Sequence, residues 1–128
     1  MATSYTYANS ILDNLIKNGW LGLCSAEPSR DTGTPAEPAD SYYSRIQTNG
    51  KFSSANKGVI SNNVEIQFPT ARSEAGYGLM THFFISQSQT GPAVIWGSIN
   101  NPQPITQNTV PSFYEGELKL SVDTEITE

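Results

Sequence analysis

The stretch Leu79-Met80-Thr81-His82-Phe83-Phe84-Ile85-Ser86-Gln87 is apolar at both odd and even positions through its middle. A strand with one wet face alternates apolar and polar side chains, so this run reads as a central strand covered on both sides. Ser88-Gln89-Thr90-Gly91 is turn chemistry, and Ala93-Val94-Ile95-Trp96-Gly97-Ser98-Ile99 reads as a partner strand. The pair predicts an antiparallel hairpin, with Thr81–Ile85 as the core of the fold.

Working outward, the pattern stays mostly β. Val64, Ile66 and Phe68 alternate with Glu65 and Gln67 until Pro69 stops the run. Near the end, Leu118, Leu120 and Val122 face in while Lys119 and Ser121 face out, predicting a strand over 117–123. Residues 124–128 read as a frayed acidic tail. Trp20-Leu21-Gly22-Leu23-Cys24 has strand length, a further strand starts at Tyr42, Tyr43 and Ile46, and Asn49-Gly50 marks a turn. Between them, residues 25–41 carry Pro28, Pro35, Pro38 and Gly33 and predict a long loop without regular structure.

One segment has a helical period. Tyr7, Ile11, Leu12, Leu15 and Ile16 fall on one face of a helix expected over about 8–18. Ser10 with Asp13 suggests a capping box, Lys17 suits the C-terminal dipole, and Gly19 suggests the stop. So short a helix needs a partner for its apolar face. The fold expected over residues 1–128 is a single mostly-β domain, an antiparallel β-sandwich or partly open barrel with one short N-terminal helix.

Composition narrows the function. Charged residues make up 15% of the 128, against about 25% in an average protein, while Ser, Thr, Asn and Gln fill 43 positions. A net charge of −5 argues against nucleic acid as a partner, which requires a cationic footprint. No apolar run approaches the length of a membrane span, and the N-terminus reads as lacking a secretory signal. One Cys and one His argue against a disulfide framework and against structural zinc.

No residue pattern marks a reaction. His82 is the one base titrating near neutrality, and its apolar strand makes it a structural side chain. Cys24 reads as a small buried hydrophobe. Glu27, Asp31, Glu37 and Asp40 could ligate calcium, but without D-x-D-x-D-G spacing they read as solvated loop charges. Glu115 and Glu117 could imitate a glycosidase pair, yet a turn into an edge strand explains them. The tyrosines and tryptophans could form a carbohydrate-binding face, but read as core and subunit interface. The expectation is a non-enzyme with no metal or organic cofactor.

The order of these segments resembles a family of small bacteriophage virion structural proteins, often labelled tail-fibre proteins. The matching elements are the N-terminal helix, Trp20-Leu21-Gly22-Leu23, a loop with a Glu over 31–38, and Tyr43-Ser44-Arg45. They continue with Val64 to Ala71, including Phe68-Pro69, then Thr81-His82-Phe83, Thr90-Gly91, Trp96-Gly97 and the closing 116–123. The resemblance implies a virion protein, present in the host cytoplasm during assembly, that binds other capsid or tail proteins as a homo-oligomer or as lattice-bound copies. Two locations follow. With neither repeats nor coiled-coil segments, a capsid decoration or cement protein is favoured; the alternative is a tail-fibre or tail-tip component touching the host surface. The interface candidates are Ile11, Leu12, Leu15 and Ile16 of the helix and Pro28, Pro35 and Pro38 of the loop, in a contact more apolar than ionic.

Overall fold

The computed structural model of the protein describes residues 4–121. An N-terminal helix, α1 (Tyr5–Asn18), leads into strand β1 (Trp20–Cys24). After the long loop come β2 (Ile46–Gln47), β3 (Val59–Ser61), β4 (Ile66–Gln67) and β5 (Gly78–Leu79). The hairpin strands are β6 (His82–Ser86) and β7 (Ala93–Ser98); β8 (Pro104–Ile105), β9 (Ser112–Phe113) and β10 (Lys119–Ser121) follow. The fold is mostly β and antiparallel, with one N-terminal helix and no closed barrel.

The hairpin lies where the sequence places it. β6 sits inside a four-stranded sheet of order β2-β1-β6-β7, with Leu21 opposite Ile85, Gly22 opposite Phe84 and Phe84 opposite Trp96. Phe83, Phe84, Ile85 and Ser86 are all buried, as expected of a strand covered on both faces. Three two-stranded ladders complete the fold: β3 with β10, β4 with β9 and β5 with β8.

One sheet face is covered by apolar packing. Leu12, Leu15 and Ile16 of α1, with Ile60 and Leu120 of the β3–β10 ladder, join Leu21, Leu23, Phe83 and Ile85 in one core cluster. At Gly97 the ladder comes close enough that a Cβ would sit 3.0 Å from Leu120 and 3.1 Å from Phe83. The other face carries Cys24, Phe84 and Ala93, with Trp96 packed beside them. Its cover is the proline-rich loop. Ser25 N–H donates to Ala36 O at 3.0 Å, and Ala93 N–H donates to Gly33 O at 2.7 Å. Gly33 has φ +71 and its Cβ position is occupied by Ala93 O, so glycine is required there on two counts.

Several boundaries differ from the sequence reading. The helix starts at Tyr5, three residues before the expected start, because Ser4 is the N-cap: its Oγ accepts from Tyr7 N–H at 3.2 Å. The Ser10–Asp13 box does not form; Asp13 instead accepts from Ala55 N–H at 2.8 Å. Gly19 follows the helix in extended backbone, and a buried Thr48 hydroxyl bonds the carbonyl of Ile16. The expected run 79–87 divides into β5 and β6, with Met80 and Thr81 between them. The strand expected from Tyr42 narrows to Ile46–Gln47, and the one over 64–68 to Ile66–Gln67, with Val64 exposed. The closing strand starts at Lys119 rather than 117; Leu118 just before it and Leu120 within it are buried, while Lys119 and Ser121 are exposed. Val122, Asp123 and the tail 124–128 lie outside the described residues.

Candidate functional site

Arg45 is the densest polar junction of the fold. It follows Tyr43-Ser44 at the entry to β2, where an extended backbone sends alternate side chains to opposite sides. Its side chain is only 4% exposed. Nε donates to Glu37 Oε1 at 2.9 Å and Nη2 to Glu37 Oε2 at 3.1 Å, a two-pronged ion pair. Nη1 donates to Ser86 Oγ at 2.8 Å, to Ser88 O at 3.0 Å and to Gly91 O at 2.7 Å. The guanidinium carbon lies 4.8 Å from the centre of the Phe84 ring, a cation–π arrangement. One side chain thus holds the long loop, the hairpin turn and the sheet face together.

Tyr43 extends the junction. Its hydroxyl donates to Glu37 Oε1 at 2.8 Å and accepts from Leu23 N–H at 3.0 Å, filling an edge position of β1 that β2 is too short to reach. The closeness of that approach explains Gly22, whose Cβ position is taken by the Phe84 ring and approached by Tyr43 Oη. Burial pushes the Tyr43 phenol far above its ordinary range. The Tyr43 ring stacks on Phe68 at 6.4 Å and meets Tyr77 edge-on at 5.6 Å. Tyr77 donates to Pro69 O at 2.6 Å, and burial followed by the charge of Asp40 pushes its phenol up to about 12.

Two carboxylates read as solvated loop charges are therefore structural. Glu37 is the anion of the Arg45 pair. Asp40 is buried and accepts from the backbone N–H groups of Tyr42 at 2.8 Å and of Arg72 and Ser73 at 2.9 Å each. Burial pushes its pKa up, but the backbone N–H bonds outweigh it and hold the carboxyl below its usual range. Their bonding partners distinguish them from Asp31, which is exposed: Glu37 meets an arginine that is itself anchored to the distant hairpin, and two of the three N–H groups on Asp40 come from Arg72 and Ser73. Another buried polar residue gave no local signal: Asn62 donates to Val64 O and Tyr114 O and accepts from Leu118 N–H, joining β3 to the approach of β10.

The remaining named residues separate into distinct places. Phe83 is buried in the apolar cluster, and Trp20 is half-buried in β1. His82 is half-buried, its Nδ1 2.8 Å from Thr81 Oγ1, away from the Arg45 junction. Trp96 donates to Glu27 at 3.1 Å. Burial, then the nearby Glu37, pushes the Cys24 thiol up to about 11, against a smaller opposing backbone hydrogen bond, and its Sγ sits 3.7 Å from His82 O. Of the attachment candidates, Leu12, Leu15 and Ile16 pack on the chain's own sheet, while Ile11 is 41% exposed. Pro28 is buried and Pro35 and Pro38 are half-buried, within a loop that covers the sheet. Glu117 accepts from Tyr114 N–H at 3.0 Å, closing the turn that contains Glu115. Among the described residues no helix is long and apolar enough to cross a membrane.

A family model described as podophage GP4 fiber I protein gp80 matches residues 2–121. No curated protein matches the chain. The match spans every element of the fold, including the Tyr43–Arg45 junction and its Glu37 partner.

Proposed function

Because the chain belongs to the podophage GP4 fiber I protein family, a family of structural virion proteins rather than enzymes, we propose that it is a subunit of a podophage tail fibre and not a capsid decoration protein. The match over residues 2–121 is the observation that carries this reading. It displaces the preference for a head location, which rested on missing repeats and coiled-coil segments. Those features bear on how one chain spans distance; a fibre can also gain length by stacking compact subunits.

The geometry supports a scaffold. Arg45, Glu37, Tyr43 and Asp40 spend their hydrogen-bonding capacity on backbone and on one another. The groove of about 460 Å³ beside the helix is lined by Ile11, Asn14, Leu15, Asn18, Gln87 and Val94, without a titratable side chain. The partners in this reading are other tail proteins and further copies of the chain, assembled in the host cytoplasm and carried in the virion. Electron microscopy of virions bearing a tagged chain tests it. Tag density on the tail is the expected result, and density distributed over the head would overturn the proposal.

A further inference from the structure

The two edges of the four-stranded sheet are unequal. β2 is two residues long and runs into the Asn49-Gly50 turn. β7 has six residues, Ala93-Val94-Ile95-Trp96-Gly97-Ser98, and among the described residues it is paired with β6 on one side only. Its parity is fixed by two bonds at the sheet's ends: Ile99 N–H donates to Thr81 O, and Thr48 N–H to Gly19 O. Counting along the register, Ile95 and Gly97 bond toward β6, and the backbone groups of Trp96 and Ser98 point outward. The loop takes the start of this edge through Gly33 and Ala93. Among the described residues nothing pairs with the outward N–H and C=O groups of Trp96 and Ser98.

Natural sheets protect such an edge with charge, proline or brevity. Here a register shift beside Val94 and the loop at Ala93 protect the start of the edge, and its second half has none of the three. From Ala75 to Tyr114 the sequence has no Asp, Glu, Lys or Arg, forty consecutive residues in a chain of net charge −5. The groove beside Val94 extends the uncharged surface onto the helix through Ile11, Asn14 and Asn18, and Val94 is 49% exposed. An acidic chain repels its own copies least across its least charged surface, where the one carboxylate bonded to the edge strand is Glu27, held by the Trp96 indole N–H at 3.1 Å.

We propose that the outer edge of β7 pairs, antiparallel, with β7 of a second copy of this chain. Centred on Gly97, the pairing sets Trp96 of each copy opposite Ser98 of the other. All outward backbone groups of both edges are then satisfied, and a residue without a side chain lies at the two-fold axis. The contact is isologous, so one surface suffices for both partners. The proposal concerns how copies meet and stands whether the protein lies on head or tail.

Light scattering on the purified full chain, with backbone hydrogen exchange at high and low concentration, tests it. The expected result is a dimer whose Trp96 and Ser98 amides are protected at high concentration and exchange freely on dilution. Ser98→Asp, at an exposed position, sets a carboxylate opposite Trp96 and its bonded Glu27 in the other copy and should abolish the dimer while circular dichroism and melting stay those of a folded chain. Ser98→Pro should do the same by removing one outward N–H and leaving the β6 ladder intact. A monomer or trimer at high concentration would overturn the proposal. So would protection of the two amides independent of concentration, which would mean cover from within the same chain, or a dimer that survives both variants.

Discussion

The two faces of β6 are covered by different physics. Phe83 and Ile85 meet leucines and isoleucines from α1 and from the β3–β10 ladder, a contact held by exclusion of water and by dispersion. Phe84 and Ser86 meet an irregular loop held by the Arg45–Glu37–Tyr43 junction. The first cover depends on volume and tolerates a change of one apolar residue for another. The second depends on donors meeting acceptors at fixed places, so the loss of one partner strands the rest. A strand apolar on both faces therefore need not lie between two hydrophobic layers.

The largest expected effect is on the apolar side. Phe83, 1% exposed, should cost about 3–5 kcal/mol when replaced by Ala, measured by denaturant unfolding. Phe83→Leu should cost much less, and an equal loss would show that shape rather than volume governs this face. Arg45→Met comes next. Removing one member of a buried pair costs about 3–5 kcal/mol, and the lower end applies because Glu37 is 26% exposed. Adding Glu37→Gln to Arg45→Met should cost less than the sum of the single changes, since the two share one junction. Simple additivity would break the contrast between the faces.

That contrast also explains what the sequence revealed. The apolar cover was legible because periodicity reports it: Leu12, Leu15 and Ile16 on the helix, Phe83 and Ile85 in β6, Leu118 and Leu120 near the end. The hairpin and the direction of each of these side chains follow from the same patterns. The polar cover was not legible as a layer. Tyr43 and Arg45 stood out only through a family resemblance, and Glu37 and Asp40 looked like their exposed neighbour Asp31. Periodicity carries no information on a loop whose Glu37 is held by Arg45, itself bonded to residues 86, 88 and 91, and whose Asp40 is held by residues 72 and 73, all remote from the loop. The helix start was misplaced for a related reason, because Ser4 and Ser10 are chemically equal as caps and only the packed length of the helix separates them.

Alkaline titration should find the polar cover first. Cys24 is raised to about 11 from an ordinary 9.0, and Tyr77 to about 12 from 10.0, with Tyr43 raised further. A group held above its unfolded value binds its proton more tightly in the folded state. Its contribution is complete below the unfolded value and is lost as pH rises through the folded one. Stability should fall from about pH 9 upward, and Cys24→Ala should flatten the decline between about 9 and 11. An unchanged slope in that variant would assign the decline to the tyrosines alone. Asp40 works in the other direction: its depressed carboxyl contributes above the ordinary value of 3.8 and loses that contribution as pH falls through the folded value.

The smallest effect tests whether the two covers act independently. Ser4 caps α1 by accepting from Tyr7 N–H, and the first turn has no acidic residue to share that role. Ser4→Ala should cost about 1 kcal/mol, the usual loss for an N-cap hydroxyl. Ser4→Asp should restore it, because a carboxylate can accept the same bond and favours the positive end of the helix dipole. The informative measurement is local. Hydrogen exchange at Tyr7 and Ala8 should quicken in Ser4→Ala, since their N–H groups bond Ser4 Oγ and Ser4 O. The amide of Ala93, held by the loop at Gly33, should keep its protection, because among the described residues no hydrogen bond joins the cap to the polar cover. If Ala93 loses protection together with Tyr7, the helix and the loop open as one unit, and the two faces of β6 share a single cooperative cover despite their different chemistry.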